Sequence, residues 1–274
     1  MIPTEPGIYR LTHAEHRAIP AISPSDLHRW VSGEDEPDGG RQLLFGTVFH
    51  LMILQPGQVK GRVAIGPNAD LRTKDGKAAW ESFEAANAGK LCIRPSEADL
   101  LRAMKAAVKA HPLLSKALSL VAPDNVETTI VWRDPDTGLL LKGCIDQTGE
   151  RSLLDWKTSG YNSADEFNAA VPKFGYHVQG AMYADGWKAL KGEEKAFALC
   201  CVSKRLPIGS WLRQITEHEL AFGRREYKGL LRLRKRYADQ AAATPAPKPA
   251  PEPVTVKSDI AAPNLVAGPD DIPF

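Results

Sequence analysis

The sequence predicts an α/β (α+β) fold, a central mixed sheet flanked by helices, followed by a C-terminal tail with no core of its own. Three observations carry this. Early segments space apolar residues for helices, and the middle of the chain switches to short strand-like runs punctuated by turn signals. From Ala241 onward apolar periodicity stops and alanine and proline take over. With 274 residues, 43% hydrophobic and 25% charged, the chain can bury a substantial core as one large domain or two small ones.

In chain order, "SPSDLHRWV" (23–31) opens with serine caps and reads as a short helix. "LLFGTVFHLMIL" (43–54) is apolar enough for a buried helix and carries His50 at its middle. "GKAAWESFEAANAGK" (76–90) and "SEADLLRAMKAAVKAHPLL" (96–114) are amphipathic, the second with Ser96 as its expected cap. "ETTIVWRDPDTGLLLKGCID" (127–146) predicts two strands around the "DPDTG" turn, and "RSLLDWKT" (151–158) a third after the tight loop "QTGE". "SADEFNAAV" (163–171) and "YHVQGAMYADGWKAL" (176–190) return to helix. "KAFALCCVSK" (195–204) and "SWLRQITE" (210–217) are strands, and a basic helix follows. The body is expected to span 1–240, with a disordered linker over 241–267 and a short tip over 268–274.

Several classes are disfavoured. The longest apolar runs are too short to span a bilayer, and "MIPTEPGIYRLTHAEHR" lacks the basic-then-apolar pattern of a secretory leader, so a cytoplasmic setting without membrane contact is the expectation. Cys92, Cys144, Cys200 and Cys201 match neither a disulfide framework nor a C-x-x-C metal site. Net charge is only +2 but unevenly spread. After Ala241, Lys248 and Lys257 stand against Glu252, Asp259, Asp270 and Asp271, which leaves the preceding body at +4. "RREYKGLLRLRKRY" (224–237) concentrates cations; it reads equally as a solvated helix face or as a phosphate track through Arg224, Arg225, Lys228 and Arg232.

The chemistry centres on "SLLDWKT" (152–158). Alternate residues of a strand share a face, so Asp155 and Lys157 point together and Trp156 points away. In a hairpin closing around Gly149 and Glu150, Asp146 lies nearly opposite Asp155. Two carboxylates that close repel unless a cation sits between them, and hard oxygen ligands favour Mg²⁺ or Mn²⁺. Lys157 beside such an ion can orient a water or stabilise charge on a phosphate, the requirement of phosphodiester hydrolysis. The bland alternative is an ion pair on a hairpin surface. His50 suits a third ligand position or a satisfied core histidine. Glu127 either reaches the same face or is a solvated strand start. Gln179 and Tyr183, four apart, share a helix face.

The ordered set His50, Glu127, Asp146, Asp155-x-Lys157 and Gln179-x-x-x-Tyr183, with "LLFGTVFHLMILQP", "LLDWKT" and "FGYHVQGAMYADGW" around it, resembles the RecE-type exonuclease VIII branch of the PD-(D/E)xK nucleases, which is usually phage- or prophage-encoded. The resemblance runs from about Ile22 to Tyr183 and fades toward Gln240. It implies a restriction-endonuclease-like core in which His50, Asp146 and Asp155 bind a catalytic Mg²⁺ (or Mn²⁺), with the Trp156 carbonyl as a possible further ligand and Glu127, less firmly, near a second metal. It further implies that Lys157 is the catalytic lysine, supported by Gln179 and Tyr183. "KGCIDQ" departs from the Arg-Pro that often precedes the aspartate in that branch. Such proteins degrade linear double-stranded DNA from 5′ ends, leave 3′ single strands for recombination, and include ring-shaped homo-oligomers.

The chain ends "GPDDIPF". Asp270, Asp271, Ile272, Pro273 and Phe274 resemble the acidic Ile-Pro-Phe tip of bacterial single-stranded DNA-binding proteins. This implies docking to a phage single-strand annealing protein or to a host protein that reads such tails. Three rival readings remain. One is a RecB- or Cas4-like nuclease with an iron–sulfur cluster, which the cysteine spacing does not suit. Another is a catalytically silent DNA-binding scaffold. The last is a single-strand binder proper, for which the body lacks the strand meander of an OB barrel.

Overall fold

A computed structural model describes residues 2–33 and 40–243, with side chains to Gln240; the last helix runs on to Ala243, three residues into the stretch expected as linker, and the rest of that stretch and the expected tip over 268–274 lie outside the described residues. Six strands form the central sheet: β1 (Gly7–Arg10), β4 (Val126–Arg133), β5 (Leu140–Thr148), β6 (Ser152–Ser159), β7 (Ala196–Ser203) and β8 (Ser210–Gln214), in that spatial order. Only β6 and β7 run parallel, so the sheet is mixed as expected. β2 (Val63–Ile65) and β3 (Leu91–Ile93) make a separate parallel pair.

Helices cover both faces. On one lie α2 (Pro24–Ser32), α8 (Ala164–Lys173), α9 (Tyr176–Lys191) and α10 (Glu217–Ala243), packed through Leu27, Phe167, Met182, Trp187 and Leu231 onto Ile130, Ile145, Leu153, Phe197 and Leu199. On the other, α3 (Arg41–Leu54), α6 (Pro95–Ala110) and α7 (Pro112–Ser119) pack Phe49, Ile53, Met104 and Leu114 onto Leu154, Trp156, Cys200 and Val202. The period of two in β6 and β7 explains both cores: Leu153 and Phe197 face one layer, Leu154 and Ala198 the other. Short helices α1 (His13–Ala18) and α4 (Val59–Arg62) and helix α5 (Lys74–Ala86) complete the body. Among the described residues no helix is long and apolar enough to cross a membrane.

Local chemistry sets most helix starts. Ser23, Thr73 and Ser163 cap α2, α5 and α8 with their hydroxyls. Ser96 does not cap α6, which begins one residue earlier at Pro95; Arg94 is the capping residue, and its N–H donates to the Glu97 carboxylate (2.7 Å). Proline suits the first helical position, which moves the start upstream of the serine. Pro112 then divides the expected single helix into α6 and α7. β1, β2, β3, α1 and α4 are too short to leave a periodic trace in sequence.

Candidate active site

Three carboxylates stand at one level of three neighbouring strands. The pairs Val126–Gln147 and Thr128–Ile145 set Glu127 across from Asp146, and the pair Gln147–Leu154 sets Asp146 across from Asp155. This is the hairpin register expected from sequence, but the hairpin is not regular. The β5–β6 ladder stops at Gln147–Leu154 and the strands fork. The Trp156 N–H donates to Asp146 Oδ2 (2.7 Å), in place of the backbone carbonyl an unbroken ladder would offer.

The fork comes with a change of facing. Ile145 belongs to the α9 side of the sheet, whereas Gln147, two residues on, donates through its amide to the Ala117 carbonyl of α7. Val126 and Ile130 likewise sit in opposite cores despite equal parity. Between them Glu127 takes φ +45°, the left-handed region that non-glycine residues rarely enter. The facing of β4 and β5 therefore switches where the acids lie.

From the α3 side comes His50. Its Nε2 lies 2.7 Å from the Trp156 carbonyl, which can only accept, so Nε2–H is the donor. The other ring nitrogen, Nδ1, then turns toward Asp146 Oδ1 at 3.6 Å. In the neutral ring both atoms carry lone pairs, a juxtaposition that calls for a proton or a metal ion. From the α9 side comes Gln179, whose Nε2 donates to Asp155 Oδ1 (2.7 Å). Lys157 Nζ lies 2.7 Å from Asp155 Oδ2 as an ion pair. Trp156 points the opposite way, fully buried, with its indole N–H on Gln147.

Burial and charge tune these groups. Burial, reinforced by the Asp155 charge, pushes the Asp146 carboxyl up to about 6, against the pull of His50, Lys157 and the Trp156 N–H. Burial works to discharge Lys157, but Asp155, Tyr176 and Asp146 together raise its pKa, so it stays an ammonium. Burial also raises Tyr183, whose hydroxyl meets Gln179 and whose ring lies over Gly143. A Cβ at Gly143 would sit 2.5 Å from that ring, so only glycine admits the tyrosine there.

The sequence-derived set thus gathers His50, Asp146, Asp155, Trp156, Lys157, Gln179 and Tyr183 at one place, with Glu127 at its edge accepting from Gln55. Gln55 carried no sequence signal beyond following α3. Oxygen-rich donors and two carboxylates balanced by one ammonium fit a divalent cation, with the His50 and Asp146 lone pairs as the opening. Among the described residues no three His, Cys, Asp or Glu side chains are already drawn together around one point.

On the basic helix, two of the four candidate cations are engaged by carboxylates of the body. Arg224 grips Asp185 with two nitrogens (2.6–3.0 Å), and Lys228 bridges Asp134 (2.9 Å) and Asp136 (3.0 Å). These two of the four candidate DNA contacts tie α10 to the body, whereas Arg225 and Arg232 are exposed. Cys200 and Cys201 face opposite cores, and Cys92 and Cys144 lie on other strands, so the cysteines form no cluster.

Residues 23–246 match a family model described as "PDDEXK-like domain of unknown function (DUF3799)". A solved structure from Eubacterium rectale, described as a "putative exonuclease", is similar in fold, with a TM-score of 0.55 and 15% identity over 83% of this chain and 87% of that one. No curated protein matches.

Proposed function

From the premise that this chain belongs to the PDDEXK-like family DUF3799, we propose that it is a metal-dependent exodeoxyribonuclease acting on the ends of linear double-stranded DNA. The observation that carries the reading is the convergence of Asp146, Asp155 and Lys157, with His50 and Gln179 closing in from opposite layers. His50, Asp146 and Asp155 would hold Mg²⁺ or Mn²⁺, which when bound polarises a phosphoryl oxygen and acidifies a water. Lys157, kept cationic by its acidic neighbours, stabilises charge on the phosphate and is unsuited to act as a base. Gln179 fixes the Asp155 carboxylate, and Tyr183 stands one turn along α9 from Gln179. Resemblance to the exonuclease VIII branch, together with the description given to the fold neighbour, supports exonucleolytic digestion, taken as 5′→3′.

The test uses linear duplex labelled at the 5′ end and, separately, at the 3′ end, with Mg²⁺. The parent should release labelled mononucleotide early from the 5′ label, and Asp155→Ala should release none. DNA binding without degradation by either protein would replace the nuclease with a scaffold. The tip at Asp270–Phe274 is proposed to recruit a protein that reads single-strand-binder tails. Deleting it should leave turnover unchanged and abolish capture of an annealing protein; undiminished capture rules the docking role out.

A further inference from the structure

A row of rings leads outward from Lys157. The Tyr176 ring centre lies 5.1 Å from Lys157 Nζ, and the Phe174 ring follows at 5.7 Å from Tyr176, tilted by 35°. Tyr176 is backed by Phe167, stacked at 5.8 Å with only 19° between planes, and Phe167 is itself buried. Phe174 is different. It closes α8 just before Gly175, whose φ of +64° turns the chain into α9, and it remains 44% exposed. Lys173 Nζ stands 5.5 Å from its ring centre.

An exposed phenylalanine alone is unremarkable on a protein surface. This one extends a buried aromatic support from the proposed phosphate-binding lysine into solvent, with a cation at either end of the row. Aromatic faces alternating with cations are how proteins hold unpaired nucleic-acid strands: the cations meet the backbone and the rings stack on bases without regard to sequence.

We propose that Phe174 is a stacking platform for an unpaired nucleobase of the strand whose phosphate lies at Lys157. This deepens the nuclease reading and rests on it for the identity of the strand. A base held on Phe174 must expose a face, so the platform favours a terminal or frayed base over one sealed inside a duplex. Phe174 is accordingly a positioning residue that sets which nucleotide enters, and Lys173 adds a backbone contact beside it.

The experiment uses the full chain in EDTA, where no metal-dependent cleavage runs, and a single-stranded oligonucleotide with 2-aminopurine as its terminal base. Stacking on Phe174 should change the probe's fluorescence on binding. Phe174→Ala should abolish that change and weaken binding about tenfold, whereas Phe174→Trp should restore both. Phe222→Ala serves as control, because that ring is equally exposed and has Arg225 above it (5.5 Å), yet leans on His177 and is not part of the row from Lys157 through Tyr176; it should leave both readouts unchanged. With Mg²⁺, Phe174→Ala should raise KM for DNA more than it lowers kcat. Equal probe response in parent and Phe174→Ala, or an equal loss in Phe222→Ala, overturns the platform. Because the EDTA arm needs no turnover, an absence of cleavage with Mg²⁺ would fault the nuclease reading separately from this one.

Discussion

Single side chains at the fork between β5 and β6 are held by few partners, so their removal is informative. Gln179, itself half-buried, supplies the hydrogen bond to Oδ1 of the buried Asp155. Gln179→Ala strands that buried oxygen, and supporting residues of metal sites typically carry about 10- to 100-fold in metal affinity or activity. The expected outcome is a raised Mg²⁺ requirement in a cleavage assay, with the melting temperature little changed. His16 offers a pH reading away from the site. Its Nδ1 lies 3.2 Å from the Thr129 hydroxyl, and burial, with the nearby Lys142 charge, lowers its pKa to about 4. The unfolded chain therefore holds this proton more tightly than the folded one between about pH 4 and 6.5. Stability present above pH 6.5 is lost as the pH falls toward 4, by up to about 3 kcal/mol. Denaturant unfolding across that range should show this slope in the parent and a shallower one in His16→Asn.

Helices and strands place those side chains through close approach. α9 lies near the sheet because Gly180 and Gly186 leave room for Phe197 and Trp132, and the same closeness brings Gln179 and Tyr183 to Asp155. Gly143→Ala would force its new methyl into the Tyr183 ring, a collision of the kind that costs about 1–3 kcal/mol. A lowered melting temperature together with reduced cleavage is expected; an unchanged activity would show that Tyr183 does not support the site. α10 is anchored by charge as well as by Leu231 and Tyr227, which is why Arg224 and Lys228 are tethers to the body while Arg225 and Arg232 stand exposed. A run of like charges in sequence cannot make that division, since the partners Asp134, Asp136 and Asp185 lie far away along the chain.

Across the whole molecule, two layers of helices bring side chains to one sheet from opposite sides, His50 from one and Gln179 from the other. The cation proposed for His50, Asp146 and Asp155 would bridge the α3 layer and the sheet, and any ligand that prefers the folded state stabilises it by mass action. Millimolar Mg²⁺ should therefore raise the melting temperature of the parent at pH 7.5 and leave that of Asp146→Asn unmoved. Equal shifts in both proteins would place the cation elsewhere.

The juxtaposition of Asp155 and Lys157 was legible in "LLDWKT" because alternation along a strand is a local property: the two had to share a face and Trp156 had to enter the core. The sheet order around that segment followed from turn residues such as "DPDTG", which act within a few positions. What local rules could not supply was the fork at Asp146, the left-handed turn at Glu127 and the switch of facing between them, since these involve strands and layers distant along the chain. Likewise only packing decided that Arg224 and Lys228 are tethers and that Phe174 stands exposed beside Tyr176 and Lys157. Sequence determined which groups the protein possesses and how neighbours along the chain are oriented. Tertiary structure decided which distant groups meet, because their energies of contact exist only once the chain has folded.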